Sequence, residues 1–112
     1  MHASNYFCAF TNRPAEHCHH ATGKDSSGRY LDPQLVLPLV AVQHHREHQS
    51  WGPSFKDFAE DDPSELRLRR LGSLSIRLGE HHRDGYVVLP AFFVVQLGQT
   101  LHCIANDLER DS

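Results

Sequence analysis

The stretch that decides the fold reads HCHH at positions 17–20 and HHREH at positions 44–48. The chain contains ten histidines, and six of them lie in these two short clusters. Residues 21–38, which join the clusters, are interrupted by glycine and proline, a composition typical of an ordered loop and not of a long helix. Two groups of imidazoles joined in this way indicate a single site.

The spacing of the histidines predicts the geometry of that site. On a helix, His44 and His48 are four residues apart and project from one face, about one turn from each other. On a strand, His19 and His20 point to opposite faces, so they cannot perform the same task. One of them can join the helical histidines around a metal while the other faces a substrate, a geometry suited to metal-assisted hydrolysis. A solvated polar strand end is the alternative interpretation of residues 17–20.

The roles within the first cluster depend on the phase of the strand. A shift of phase by one residue exchanges the positions of His19 and His20. His17 shares a strand face with His19, so we expect it to be either an additional ligand or a contact for phosphate. Neutral imidazoles suit zinc, nickel and other late transition metals better than magnesium, which prefers oxygen ligands. The sequence therefore predicts one divalent transition-metal ion.

The secondary structure around the clusters follows from local patterns. Residues 5–20 predict a β-hairpin, because aromatic strand formers precede the turn-forming residues 12–14. Residues 39–49 predict a helix, which the Trp-Gly-Pro sequence at 51–53 ends.

Two longer helices are predicted in the second half of the chain. Asp62 followed by proline predicts a helix over residues 63–78, and a stripe of apolar residues predicts another over 90–108. We expect these helices to pack as a hairpin. The fold class is therefore α+β, with one compact domain made of a module at residues 1–60 and a helical hairpin at 61–112.

Composition limits the classes of function. With 112 residues there is room for one domain and a modest core. The net charge of −3, with histidines neutral, gives no overall basic field to attract nucleic acid. The sequence lacks an apolar run long enough to span a bilayer, so we expect no membrane association. Three cysteines without tight spacing, and the absence of a signal-peptide pattern in residues 1–10, predict a cytoplasmic protein.

Two groups of basic residues are candidates for contact with a phosphate backbone. Lys24 and Arg29 lie in the loop between the histidine clusters, where cations can reach phosphate. Arg69 and Arg70 belong to the concentration of positive charge on the predicted helix 63–78. The alternative for both groups is an ordinary solvated surface.

A histidine pair at a strand end, a loop, and a helix carrying His-x3-His resemble the HNH, or ββα-metal, nuclease motif. The pattern is closest to the nuclease domains of colicins, and the resemblance covers roughly residues 6–50. Further similarity to small HNH-fold proteins of actinobacteria and their phages lies in CAFT at 8–11, HHATGK at 19–24, YLDP at 30–33 and LPL at 37–39. The resemblance implies a ββα-metal (HNH-like) module with a C-terminal two-helix extension.

The resemblance also implies roles for individual residues. His19, His44 and His48 would hold one divalent metal ion, and His20 would be the general base that takes a proton from the attacking water. The Asn that normally orients this base has no counterpart here, and Gln34 is the nearest candidate for the task.

The chain departs from the family at a second place. Many HNH proteins carry a structural zinc on two C-x2-C pairs, but the corresponding positions here are Cys8 with Thr11 and Val40 with Gln43. Because three of the four thiolates are missing, we expect no structural zinc.

The function implied by the resemblance is hydrolysis of phosphodiester bonds in DNA, in the cytoplasm of a bacterium or a phage-infected cell. One alternative is a catalytically degenerate HNH-fold protein that binds metal and DNA or protein. Another is an adaptor whose two C-terminal helices dock a partner protein or a second copy of the chain.

Overall fold

The computed structural model describes residues 5–51, 62–83 and 85–110, and these contain two strands and three helices. Strand β1 (His17–His20) pairs antiparallel with strand β2 (Val36–Leu39). Helix α1 spans Ala41–Trp51, α2 spans Pro63–His81 and α3 spans Ala91–Arg110. The predicted α+β class is confirmed at this level.

The predicted hairpin of residues 5–20 is wrong in its strand pairing. Within that segment the structure has only an isolated bridge between Phe7 and Pro14, and β1 pairs instead with β2. Pro14 has no backbone N–H to extend the bridge into a ladder, and Asn12 turns the chain at a φ of 57°. β2 pairs with all four residues of β1 although it also contains a proline, Pro38, and its residues Leu37 and Leu39 are fully buried.

The three helices lie where the sequence predicted them, with shifted ends. Helix α1 begins two residues later than expected because β2 continues to Leu39, and the Glu16 carboxylate accepts a hydrogen bond from the first helical N–H at 3.2 Å. Helix α2 begins as predicted, with the Asp62 side chain accepting from the N–H groups of Ser64 and Glu65. No helix in the described ranges has both the length and the apolar character needed to cross a bilayer.

An apolar core joins β2 and the N-terminal segment to the last two helices. Burial of each large aliphatic or aromatic side chain in this core stabilises the fold by about 1.5–3 kcal/mol. Of the stripe predicted on α3, Phe93 and Ile104 are buried, whereas Leu101 and Leu108 remain partly exposed. The cluster includes Phe10 from the N-terminal segment, Leu35, Leu37 and Leu39 from β2 and its approach, Leu74 and Leu78 from α2, and Phe93 from α3.

Helix α2 also holds the loop that leads from β1 to β2. Arg67 forms an ion pair with Asp32 at 3.1 Å, and Asp32 in turn accepts a hydrogen bond from Thr22 at 2.7 Å. Arg70 donates to the backbone carbonyls of Thr22 and Lys24, the latter at 3.1 Å. These contacts hold the loop against α2 and so fix the position of the loop relative to the histidine clusters.

Replacing Gly23 by alanine is expected to destabilise the protein more than the same change at Gly28. Both glycines have a positive φ, of 65° and 87°, which L residues adopt at a cost of about 1–2 kcal/mol. At Gly23 a Cβ would also lie 2.7 Å from Arg70 and from Trp51, whereas at Gly28 it would meet nothing within 4 Å. Overpacking adds about 1–3 kcal/mol. Urea denaturation of the two variants tests this difference, and equal losses would contradict it.

Candidate metal centre

Three histidines from two elements meet at one point. β1 contributes His19, and α1 contributes His44 and His48 from successive turns. Each offers a ring nitrogen that lies within 4.8 Å of the other two, and the Nε2 atoms of His44 and His48 are 3.0 Å apart. Two nitrogens that each bind one zinc ion at about 2.0–2.1 Å lie no more than about 4.2 Å apart, so small side-chain adjustments would bring all three rings into coordination. The three residues, which we call the histidine cage, are close enough to bind one metal ion.

The backbone explains why the cage forms. Antiparallel pairing places His19 opposite the buried Leu37, so its side chain points to the covered side of the sheet. Helix α1 packs against β1, and the four-residue spacing puts both helical imidazoles on the face toward that strand. Trp51, about one turn after His48, packs beside the cage, with its ring centroid 5.4 Å from that of His19 and 5.1 Å from that of His48.

His19 is the deepest of the three ligand candidates. Its side chain is 1% exposed, and its Nδ1 atom is buried without a hydrogen-bond partner. Burial, together with the neighbouring His48 and His44, lowers the pKa of His19 to about 3, so the ring is neutral at physiological pH. An unpartnered buried polar atom costs about 1–3 kcal/mol. A metal ion in the cage would give this ring a partner, and the donor set therefore fits such an ion.

The two helical histidines also favour the neutral form that binds metal. Burial and then the neighbouring His48 lower the pKa of His44. Burial and then the Arg70 guanidinium lower the pKa of His48. Metal ions bind the unprotonated nitrogen of a neutral imidazole. The surroundings of the cage therefore favour the protonation state that coordinates a metal.

His20 occupies the opposite strand face, outside the cage. Its ring stacks on Tyr30, with centroids 3.8 Å apart and planes inclined by 13°. Burial and then the Lys24 ammonium lower the pKa of His20, and the Lys24 Nζ lies 4.9 Å from the Tyr30 ring centroid. The neutral imidazole is the form that can accept a proton, and stacking on Tyr30 holds the ring in one orientation.

Gln34 does not take the orienting position expected of it. Its side chain is exposed, and no side-chain hydrogen bond joins it to His20 in the described part of the chain. Tyr30 supports the His20 ring instead, through stacking. Sequence reasoning missed Tyr30, because a stacking partner ten residues away on an irregular loop has no periodic signal.

A cleft of about 410 Å³ opens beside the cage. Two of its lining residues are cationic, Lys24 and Arg70, and Arg70 stacks over Trp51 with its guanidinium carbon 4.3 Å from the ring centroid. Trp51 was interpreted from the sequence only as part of a helix end, although it lies three residues after His48. The cleft is lined by Cys18, His20, Gly23, Lys24, Tyr30, His44, His48, Trp51 and Arg70.

The four basic residues expected to contact nucleic acid lie in different surroundings. Lys24 and Arg70 line the cleft, but Arg70 is buried and holds the loop carbonyls. Arg69 is half exposed and forms an ion pair with Glu65 at 3.1 Å, while the Arg29 side chain is exposed outside the cleft lining. The structure brings two of the four to the histidines. It also shows that α2 does not present its arginines as one unpaired basic face.

A buried ion pair holds α1 in place on the face opposite to the cage. Glu47, between His44 and His48 on α1, is fully buried and accepts hydrogen bonds from the Arg77 Nε at 2.9 and 3.0 Å. Gln43 donates to the same carboxylate at 3.1 Å. This network ties α1 to α2, so the helix that carries two ligand candidates is fixed to the core on its other face.

Comparison with known proteins adds no relative. No protein-family model, curated protein or solved structure matches this chain. The similarity to HNH nucleases therefore remains a prediction from sequence motifs, and the candidate site rests on the geometry of its own residues.

Proposed function

We propose that this protein is a metal-dependent nuclease of the HNH type, which hydrolyses phosphodiester bonds in DNA. The observation that carries the proposal is a group of four imidazoles beside one cleft, which is lined by His20, His44 and His48, while His19 is buried against the two helical rings. Three of them form the histidine cage, and His20 faces the cleft from the other side of the same strand. The order β1, β2, α1 is compatible with a ββα-metal module, with α2 and α3 as its C-terminal extension.

His19, His44 and His48 would hold the metal, and three imidazoles favour zinc, nickel or a similar transition metal over magnesium. When bound, the ion supplies charge neutralisation at the scissile phosphate and stabilises the leaving oxygen. A three-ligand cage leaves a position open to a phosphate oxygen, as catalytic sites require.

His20 would act as the general base. It lies on the cleft, outside the cage, so its ring remains available to water. Stacking on Tyr30 fixes its orientation, and the neighbouring Lys24 disfavours its protonated form before reaction. After it takes a proton from the attacking water, the imidazolium would lie beside the negative phosphate, which stabilises it.

Lys24 and Arg70 would supply the positive charge that binds the substrate. Lys24 is exposed at the rim of the cleft, whereas Arg70 is fixed at its base by the loop carbonyls and Trp51. Because the whole chain has a net charge of −3, attraction of DNA is confined to this local region. We expect weak binding that falls steeply with salt.

An inactive HNH-fold adaptor is the alternative function, and two observations favour it. Gln34 does not replace the missing Asn beside His20, and an apolar groove of about 570 Å³ runs between α2 and α3. A DNA molecule would not cover that groove, but a protein partner or a second copy would. Its lining includes Leu68, Leu71, Leu78, Phe93, Leu97 and Leu101.

The test combines zinc titration by calorimetry with a plasmid-nicking assay. The wild type should bind one zinc per chain and nick plasmid DNA with added zinc or nickel, and excess EDTA should stop the reaction. His48→Ala should lose both properties, because two imidazoles do not retain the ion. His102→Ala, which removes an exposed histidine from α3, is the matched control.

Other outcomes separate the alternatives. A wild type that binds one metal ion but never nicks DNA would support the adaptor. Light scattering would then show whether the protein self-associates through the groove.

A further inference from the structure

A fourth histidine contacts the cage without belonging to it. His17, the first residue of β1, places its Nδ1 atom 3.0 Å from the Nδ1 of His44, and the two rings meet edge to face at a centroid distance of 5.1 Å. The set of nitrogens close enough to share one ion consists of His19, His44 and His48, and it does not include His17. The role of His17 therefore has to be explained through His44.

Both ring nitrogens of His44 are engaged. Its Nδ1 faces His17, and its Nε2 faces the Nε2 of His48 at 3.0 Å inside the cage. A neutral imidazole carries one proton, so only one of its nitrogens is free to bind metal. If that proton were on Nε2, it would point into the cage and exclude an ion. Coordination therefore requires the proton on Nδ1, where its hydrogen-bond acceptor is His17.

We propose that His17 is a positioning residue of the metal centre: its Nδ1 accepts a hydrogen bond from His44 Nδ1–H and so presents His44 Nε2 to the metal. This inference rests on the metal site proposed above. It replaces the two sequence-based expectations for His17, an additional ligand or a contact for phosphate, with a third role.

The structure explains why His44 needs such support. His19 is fixed by burial, and Trp51 packs beside both His19 and His48. His44 is only partly buried, and in the described part of the chain its ring makes no ring contact with Trp51. His17 is held by its strand pairing with Leu39, so its ring can restrain His44. Partners that hold the second nitrogen of a metal-bound histidine typically contribute 10–100-fold to metal affinity.

Zinc affinity of His17 variants tests this role. His17→Ala should bind zinc about 10–100-fold more weakly than the wild type. His17→Asn should restore most of the affinity, because the amide Oδ1 occupies the position of Nδ1 and also accepts a hydrogen bond. His102→Ala should bind like the wild type, and thermal melting in EDTA should show that all variants fold.

Cobalt(II) distinguishes a positioning residue from a ligand. At saturating cobalt, His17→Ala should keep the visible absorption spectrum of the wild type, because the same three imidazoles coordinate the ion. A changed spectrum would overturn the inference by making His17 a ligand. Wild-type zinc affinity in His17→Ala, or no recovery in His17→Asn, would also overturn it while leaving the nuclease proposal intact. A wild type that binds no metal would overturn both.

Discussion

Replacing His20 by alanine is expected to abolish DNA cleavage while leaving zinc affinity close to that of the wild type. The reason is geometric: His20 faces the cleft, whereas the nitrogens that can share an ion belong to His19, His44 and His48. Loss of a general base typically costs about 10²–10⁴ in rate. Calorimetric titration with zinc, followed by a nicking assay on the same preparation, measures both quantities.

The corresponding change at His44 provides the contrast. His44→Ala should lose metal and cleavage together, because it removes one of the three ligand candidates found among the described residues. His102→Ala should lose neither. If His20→Ala lost zinc as severely as His44→Ala, His20 would be a metal ligand and not the general base.

Replacing Arg77 by methionine is expected to lower the free energy of unfolding by about 3–5 kcal/mol. The Glu47 side chain is 0% exposed, and the change removes its cationic partner while leaving its carboxylate buried. Gln43 can supply only one neutral hydrogen bond to that group. Urea denaturation in EDTA measures the loss without a contribution from bound metal.

Two further variants make this measurement specific. Arg110→Met breaks an exposed ion pair with Asp107 at 3.8 Å and should cost no more than about 1 kcal/mol. The double variant Glu47→Leu, Arg77→Met should be more stable than Arg77→Met alone, since it leaves no buried charge. If Arg77→Met were no less stable than Arg110→Met, the buried pair would have no stabilising role.

Local spacing predicted which histidines share a face, because that relation is set by regular secondary structure, whereas the choice of His19 as the third ligand candidate came from the resemblance to the HNH motif. The helical repeat brings His44 and His48 to one face, and strand alternation separates His19 from His20. Neither rule depends on distant parts of the chain. The Asp62 cap and the three helices were also predictable for this reason, with no helix end displaced by more than three residues.

The features that could not be predicted depend on contacts between distant residues. β1 can pair with the segment before it or with β2, and the choice is decided by the buried leucines of β2 in the folded core. The sequence shows arginines on α2, but not that Arg70 reaches the loop or that Arg77 reaches Glu47. Their partners lie 30 to 48 residues away, beyond the range of any local pattern.

The pairing of β1 with β2 has a consequence for how the length of this chain can vary among relatives or in engineered versions. A single inserted or deleted residue within His17–His20 would turn the following side chains to the opposite face, so that Cys18 or His20 would replace His19 beneath α1. Residues 26–29, in contrast, are exposed at the tip of the loop. Long insertions there should be tolerated, because each doubling of loop length costs only about 0.6 kcal/mol.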